Sequence, residues 1–157
     1  MPSHPEHPPE WIDSAPVVVE RSRKMAATPD EVWRYIADHE GWPEWFESLT
    51  KVEVTGEASG VGGQRRATAG PISFDEVFTA WDENERFAFA VVGSKLPFLA
   101  GMAEEVRIEP IEGGSRVIYR QGLEARTGFG WMLGPMAKRM GRAVADALEE
   151  LDDELDD

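Results

Sequence analysis

Glu76 is the first of three side chains in this sequence with the chemistry needed to move a proton. It lies in a segment where Ile72, Phe74 and Phe78 alternate with mostly polar residues, so in a strand its carboxyl group faces the same apolar interior. A carboxyl group among phenylalanine rings has a raised pKa, which suits a general acid or base. The alternatives are a strand of opposite register, with Glu76 in solvent, or pairing of Glu76 with a nearby arginine.

His39 and Tyr119 are the other two candidate catalytic residues. His39 ends the first predicted helix and is the only histidine outside the proline-rich N-terminal segment. Histidine is the side chain whose ordinary pKa lies near neutral pH, so His39 is the one candidate of this kind inside the predicted domain. It equally fits a helix C-terminal cap, where its positive form suits the helix dipole. Tyr119 shares the inward face of the last predicted strand with Gln121. Together they could orient a ligand carbonyl or hydroxyl group, or simply satisfy each other.

A larger set of aromatic, methionine and polar side chains is predicted to line a ligand-binding cavity. Packing in the hydrophobic core is the alternative for the aromatic members, because aromatic side chains bury large areas in any fold. The candidate ligand-binding residues are Trp33, Trp45, Phe74, Phe78, Phe89, Phe98, Tyr119, Gln121, Met132, Met136 and Met140.

Composition excludes several other kinds of site. The 157 residues contain no cysteine, which rules out disulfides, thiolate zinc sites, iron–sulfur clusters and a cysteine nucleophile. Two of the three histidines, His4 and His7, fall in the N-terminal segment, so no three-histidine metal site is expected inside the fold. We therefore predict neither a metal site nor a cofactor.

The charge balance argues against several partners. The formal net charge is −14, and half of it comes from residues 142–157. An acidic chain repels phosphate backbones and anionic lipid, so neither nucleic acid nor a membrane bound through a charged surface is an expected partner. No run approaches the roughly 20 apolar residues of a membrane-spanning helix, and no secretory signal is recognisable, so we expect a cytoplasmic protein.

Two regions are expected along the chain. Residues 1–16 contain five prolines and no periodicity, which predicts a flexible leader. Residues 17–155 are predicted to form a single domain that begins with a strand over 17–25. Thr28 and Glu31 then form a capping box at the start of a helix that ends near 39–41, and a second short helical piece covers 42–46.

Alternating patterns and turn residues predict an antiparallel meander followed by a long helix. Apolar residues recur at three- and four-residue steps after Gly128, which gives that helix one apolar face to cover the sheet. The predicted strands after the two short helices lie near 51–55 and at 64–69, 72–81, 86–92, 102–110 and 116–124.

Two connections in this predicted meander are unusually apolar. Residues 94–100 (SKLPFLA) lie in a loop predicted over 93–101, and residues 129–133 (FGWML) begin the final helix. Apolar loop tips are typical of a ligand portal or a protein interface. The alternative is that they pack on each other as a small satellite core.

Several motifs together resemble a known family. They are the residues opening the first helix (27–33, ATPDEVW), the following 38–45 (DHEGWPEW), the turn 113–117 (GGSRV) and the long final helix. The chain resembles the polyketide cyclase/dehydrase group of the START-like (Bet v 1-like, SRPBCC) superfamily over roughly residues 15–155. The resemblance implies an α+β helix-grip fold, in which a curved antiparallel sheet of about seven strands and two short helices surround a long C-terminal helix. It also implies a cavity for apolar ligands.

Three functions remain open at this point. The first is binding of a hydrophobic or aromatic small molecule, lipid- or polyketide-like, between the sheet and the C-terminal helix. The second is a polyketide aromatase, cyclase or dehydratase that uses Glu76, His39 or Tyr119 for proton transfer. The third is an interaction module acting through the apolar 94–100 loop, with a homodimer as one outcome.

Overall fold

A seven-stranded antiparallel sheet forms the body of the protein in the computed structural model, which describes residues 3–156. The strands lie in the order β1-β7-β6-β5-β4-β3-β2, so the first and last strands of the chain are neighbours. Every pairing is antiparallel, and the predicted helix-grip architecture is confirmed. The strands are β1 (Val17–Met25), β2 (Lys51–Val54), β3 (Gln64–Ala69), β4 (Ile72–Asp82), β5 (Arg86–Ser94), β6 (Leu99–Ile111) and β7 (Gly114–Ala125).

The helices begin where the local sequence favours them. Helix α1 (Pro29–Ala37) has the expected capping box, in which the Thr28 backbone N–H donates to Glu31 Oε1 at 3.0 Å. A 3₁₀ helix (His39–Glu44) follows directly, slightly earlier than the predicted helical piece. Another short 3₁₀ helix, Gly130–Met132, leads into helix α2 (Leu133–Asp156).

Helix α2 covers the concave side of the sheet with its apolar stripe. Val144, Leu148 and Leu151 are buried in the core, where α2 packs against β1 and β7. Met136 and Met140, nearer its start, are only partly buried although they lie on the same side of the helix. Unfilled space remains between these two methionines and the sheet.

The connection between β5 and β6 is shorter than the predicted 93–101 loop. Both strands extend into it, because Leu99 pairs with Ala125 of β7 and is fully buried. Leu96 and Phe98 pack against the core. Most apolar residues of this segment therefore pack against the main core, while Lys95 and Pro97 are exposed. This differs from the satellite-core alternative, because Phe129 and Trp131 of the other apolar connection are exposed.

Strand β4 contains an irregularity that reverses one predicted orientation. Simple alternation places Trp81 on the face opposite Phe78. In the structure, Phe78 pairs with Phe89 and Ala80 with Ala88, so Thr79 is an extra residue in the ladder. Phe78 and Trp81 consequently lie on the same side, with ring centres 5.8 Å apart and nearly parallel planes.

The N-terminal segment also differs from the flexible leader predicted for residues 1–16. Of these, residues 1 and 2 lie outside the described residues, and the rest runs across the outer face of the sheet. Ser3 forms a bridge with Gly93, and His4 is buried with its Nε2 atom 2.8 Å from the Ser94 hydroxyl. A 3₁₀ helix (Pro9–Ser14) then packs against β5, β6 and β7.

The N-terminal segment is ordered because its side chains fit the outer face of the sheet. The composition of the segment alone does not show this fit. Ile12 is fully buried against strands whose outward side chains are small. Gly122 of β7 is one example: a Cβ atom there would meet Ile12, Trp11 and Ala15. Asp13 adds an ion pair to Arg120, with 2.6 Å between Oδ1 and Nη2.

Candidate functional site

A cavity of about 270 Å³ lies between helix α2 and the concave face of the sheet. Its walls come from β3 to β7, from the 3₁₀ helix after α1 with the residues that follow it, and from the first half of α2. The lining residues are Trp42, Phe46, Ser48, Leu49, Arg65, Ala67, Ala69, Phe74, Glu76, Phe89, Val91, Met102, Glu104, Tyr119, Gln121, Met136, Arg139, Met140 and Ala143.

The two ends of this cavity differ in chemistry. At the surface it is bordered by the exposed Ser48 and Arg139 and by the half-buried Phe74, Met136 and Met140. The deep end carries buried polar side chains from β3, β4, β6 and β7. A mostly apolar cavity with a few convergent polar groups is the usual form of a small-molecule site.

Arg65 and Glu76 form a buried ion pair at the deep end. They face each other directly across β3 and β4, and Arg65 Nε donates to Glu76 Oε1 at 2.7 Å. Arg65 is 1% exposed and Glu76 4% exposed. The inward direction expected for Glu76 is thus observed, together with the arginine partner considered as the alternative.

Aromatic rings and His39 hold the Arg65 guanidinium in place. Its Cζ atom lies 4.1 Å from the centre of the Trp42 ring and 4.7 Å from that of Phe89, within cation–π range. Arg65 Nη1 lies 3.1 Å from His39 Nδ1, and His39 Nε2 lies 2.8 Å from the Ala58 carbonyl oxygen. Because a guanidinium can only donate, His39 must accept at Nδ1 and carry its proton on Nε2.

This arrangement makes His39 a positioning residue. Burial, followed by the charge of Arg65, lowers the pKa of His39 from 6.5 to about 4. The imidazole is therefore neutral near pH 7 and lies behind Arg65, outside the cavity lining. The predictions that His39 transfers protons or caps α1 with a positive charge fit this geometry poorly, because both require a proton that Arg65 opposes.

A second polar group joins the site from β6 and β7. Glu104 Oε1 accepts hydrogen bonds from the Tyr119 hydroxyl at 2.6 Å and from Gln121 Nε2 at 3.1 Å. All three side chains are buried and line the cavity. Tyr119 and Gln121 therefore satisfy a shared carboxyl group, which sequence reasoning did not anticipate.

The two buried carboxyl groups compete for one positive charge. Burial raises the pKa of Glu76 from 4.5 to about 7, since desolvation and the nearby Glu104 outweigh the opposing effect of Arg65. Burial also raises the pKa of Glu104, against the two hydrogen bonds it accepts. The pKa of Tyr119 rises well above its usual value of 10, for the same reason and because of Glu104. One cation facing two carboxyl groups favours retention of a proton.

The predicted site residues divide into those that meet in the cavity and those that do not. Seven line it: Phe74, Glu76, Phe89, Tyr119, Gln121, Met136 and Met140. The others lie elsewhere. Trp33 packs edge-on against Trp81, Trp45 packs against Trp42, and Phe78 stacks on His39. Phe98 is in the β5–β6 connection, and Met132 is in the 3₁₀ helix before α2.

Arg65 and Glu104 are the polar residues that sequence reasoning missed. A signal for each exists in the sequence. Arg65 lies two residues before Ala67 in a strand and opposite the strand of Glu76, and charged pairs across strands are common. Glu104 and Glu105 follow directly on an apolar run in β6, Leu99 to Ala103. Since neighbours on a strand face opposite sides, one of the two had to point inward.

Two kinds of feature are absent from residues 3–156. No helix there has the length and apolar character needed to cross a membrane. No three histidine, aspartate or glutamate side chains in this part of the chain are grouped as metal ligands.

Comparisons with known proteins agree on the fold. A family model described as "Polyketide cyclase / dehydrase and lipid transport" matches residues 16–156. An uncharacterised protein of Mycobacterium tuberculosis is 31% identical over 111 residues, which is 69% of this chain and 66% of that protein. The match thus covers slightly less than two thirds of the relative's length, and an equal match is found in Mycobacterium bovis.

Solved structures give the same picture at lower identity. A START superfamily protein from Mycobacterium smegmatis superposes with a TM-score of 0.72 at 16% identity, over 88% of this chain and 98% of that one. An aromatase/cyclase from a Streptomyces species superposes with a TM-score of 0.74 at 19% identity, over 89% and 93% of the two chains. At these identities the likeness concerns the fold.

Proposed function

We propose that this chain, which belongs to the polyketide cyclase/dehydrase and lipid transport family, binds a compact hydrophobic or aromatic molecule that carries a polar group. The apolar body occupies the outer part of the cavity, between Phe74 and the methionines of α2. The polar group, a hydroxyl or carbonyl, lies at the deep end beside Arg65 and Glu104. Lipid- and polyketide-like molecules both have this chemistry.

The observation that carries the proposal is the polar cluster at the end of a mainly apolar cavity. Burying Arg65, Glu76 and Glu104 together costs stability unless they are well paired, and a purely apolar floor would be the simpler solution for a structural core. The volume limits the ligand. A cavity of about 150 Å³ lined by apolar side chains accepts benzene, so 270 Å³ suits a two-ring aromatic or a short acyl chain.

Binding of two probes that differ by one hydroxyl group tests this proposal. Naphthalene and 2-naphthol have the same two-ring body, and titration can be followed by tryptophan fluorescence. We expect 2-naphthol to bind about tenfold more tightly than naphthalene, because its hydroxyl group adds one hydrogen bond to a charged group. The advantage should disappear in Tyr119→Phe combined with Glu104→Gln, while naphthalene binding stays unchanged.

A matched pair of variants on α2 locates the binding site. Ala143 lines the cavity, whereas Ala145 is exposed on the same helix. Ala143→Phe should fill the cavity and abolish binding of both probes, and Ala145→Phe should bind them like the parent protein. Native mass spectrometry of unheated protein would show any ligand that co-purifies. The proposal is wrong if neither probe binds and no ligand is carried, or if both phenylalanine variants behave alike.

A second candidate function is acid–base catalysis of the aromatase, cyclase or dehydratase type. The observation that favours it is a carboxyl group in the cavity wall, Glu76, whose pKa is raised to about 7. Such a group can take a proton from carbon next to a carbonyl and return it. The accompanying guanidinium of Arg65 would stabilise the enolate oxygen.

Hydrogen–deuterium exchange distinguishes this candidate from simple binding. The bicyclic ketone 2-tetralone matches 2-naphthol in size, and exchange at its α-carbon is visible by proton NMR. A catalytic protein should accelerate exchange over buffer, and Glu76→Gln should abolish the acceleration while 2-naphthol still binds. If 2-tetralone binds but its α-hydrogens exchange no faster than in buffer, the protein binds the ketone without catalysis. The interaction-module alternative has less support than either, since Leu96 and Phe98 of the 94–100 segment pack against the core.

A further inference from the structure

Two aromatic side chains are exposed beside the start of helix α2. Trp131 is 75% exposed and Phe129 41% exposed, and they are the only exposed aromatic residues among the large hydrophobic side chains of residues 3–156. Backbone hydrogen bonds fold this segment tightly, from Phe129 to Arg126 and from Met132 to Phe129. The tryptophan is therefore presented outward on an ordered turn.

The same segment is the basic part of an acidic protein. Residues 125–145 contain four cations, Arg126, Lys138, Arg139 and Arg142, and no acid. Lys95 is exposed in the β5–β6 connection, which is tied to this segment by the Arg126 N–H donating to the Phe98 carbonyl oxygen at 2.8 Å. We call these five cations together with Phe129 and Trp131 the basic aromatic end.

The acids of the chain cancel this local charge only in part. Asp146, the first acid of the C-terminal tail, lies about 12 Å along the helix axis from Lys138, which exceeds the Debye length of about 8 Å at physiological salt. Arg142 is only four residues from Asp146, about 6 Å along the axis, so its charge is partly offset. Glu124, two residues before Arg126, adds one negative charge on the other side. The net charge of −14 thus does not describe the field at this end.

The position of the basic aromatic end relates it to the cavity. Arg139 belongs to both: it is exposed and also lines the cavity where this reaches the surface. Met136 and Met140 of the same helix border the mouth. Trp131 precedes them by less than three helical turns.

From this arrangement we propose that the basic aromatic end docks on an anionic lipid surface and turns the mouth of the cavity toward it. Tryptophan prefers the boundary between lipid headgroups and acyl chains, and flanking lysine and arginine side chains are attracted to anionic headgroups. An acidic protein would match the cations equally well. A lipid surface is favoured because the mouth of a mainly apolar cavity lies on the same helix, and an apolar ligand can pass between that cavity and lipid.

Co-sedimentation with vesicles tests the proposal on the full chain. We expect binding to phosphatidylcholine vesicles that contain phosphatidylglycerol, little binding to pure phosphatidylcholine, and weakening by salt. Each cation near such a surface changes the partition coefficient about fivefold. Arg126→Glu with Lys138→Glu should therefore reduce it by well over tenfold. Trp131→Ala should reduce it at least tenfold, since burial of about 60 Å² of apolar surface has that effect.

Matched controls separate this surface from general effects of charge and hydrophobicity. Lys24→Glu with Arg107→Glu makes the same charge change on exposed residues at the opposite end of the sheet, and Val61→Ala removes another exposed apolar side chain. Both should bind vesicles like the parent protein. The proposal is overturned if the controls lose binding equally, if pure phosphatidylcholine binds as well, or if soluble polyglutamate binds through Trp131 while vesicles do not.

Discussion

Replacing Glu76 with glutamine removes a buried carboxyl group whose charged form is disfavoured at the deep end of the cavity. The change keeps the size and shape of the side chain and leaves an amide oxygen to accept from Arg65. Its effect should therefore depend on pH in a way that reports the pKa of Glu76 in the folded protein. The pH dependence of stability, rather than stability at one pH, is the informative quantity.

The direction follows from the raised pKa. Below pH 4.5 the carboxyl group is protonated in the folded and unfolded chains alike, so it contributes no difference. Between pH 4.5 and about 7 the unfolded chain releases the proton while the folded chain keeps it, which favours unfolding. The free energy of unfolding of the parent protein should therefore fall, relative to Glu76→Gln, by about 3 kcal/mol over this interval. Above pH 7 the gap should stay constant.

Urea unfolding followed by tryptophan fluorescence at several pH values measures this gap. Glu112→Gln, in an exposed turn, is the matched control for the exchange of glutamate for glutamine itself. A gap between parent and Glu76→Gln that does not change with pH would refute the reasoning. So would a parent protein that gains stability relative to Glu76→Gln as pH rises, because that would mean that the Arg65 charge outweighs burial.

Two further predictions concern His39 and the N-terminal segment. In NMR spectra the His39 imidazole should titrate near pH 4 and carry its proton on Nε2 at neutral pH, because Arg65 occupies the Nδ1 side; a midpoint above pH 6 would contradict the arrangement. As pH falls from 6.5 toward 4, the unfolded chain takes up this proton first, so stability should fall. Ile12→Ala should lower the free energy of unfolding by about 3 kcal/mol, as for other large-to-small changes at buried sites. The exposed Ser14→Ala should leave it unchanged, and equal values for both would mean that the segment does not pack.

The overall fold was predictable because its signals are local. Alternation marks the strands, and the Thr28–Glu31 capping box marks the start of α1. The spacing of apolar residues marks α2, and the family resemblance supplies the way these elements assemble. Each of these signals depends on residues close together in the chain. The inward direction of Glu76 belongs to the same class, since it depends only on strand alternation.

The composition of the site was only partly predictable because it depends on contacts between distant strands. Arg65 and Glu76 meet through the register of β3 and β4, and Glu104 meets Tyr119 through that of β6 and β7. The register of two paired strands cannot be deduced from the sequence of either strand alone. His39 could be singled out by its chemistry, but its neutral state follows from its burial and from the position of Arg65, which the sequence does not show.

The packing of the N-terminal segment could not be predicted from its sequence, because it also depends on residues far away in the chain. Proline content and missing periodicity describe its tendency to form helices or strands, not its fit to another surface. That fit depends on small residues of the sheet, such as Gly122, which lie more than a hundred positions away.

The number of residues in β4 determines which side chains support the site, because Thr79 is an extra residue in this strand. Thr79 contributes little through its own side chain, whose buried hydroxyl finds no hydrogen-bond partner. Yet its presence lets Phe78 and Trp81 both flank the His39 ring, with centres 4.7 and 5.7 Å from it. Loss of this single position would rotate one flanking ring to the outside and loosen the imidazole that steadies the guanidinium. We therefore expect a homologue whose corresponding strand lacks this residue to support an arginine at this place in a different way.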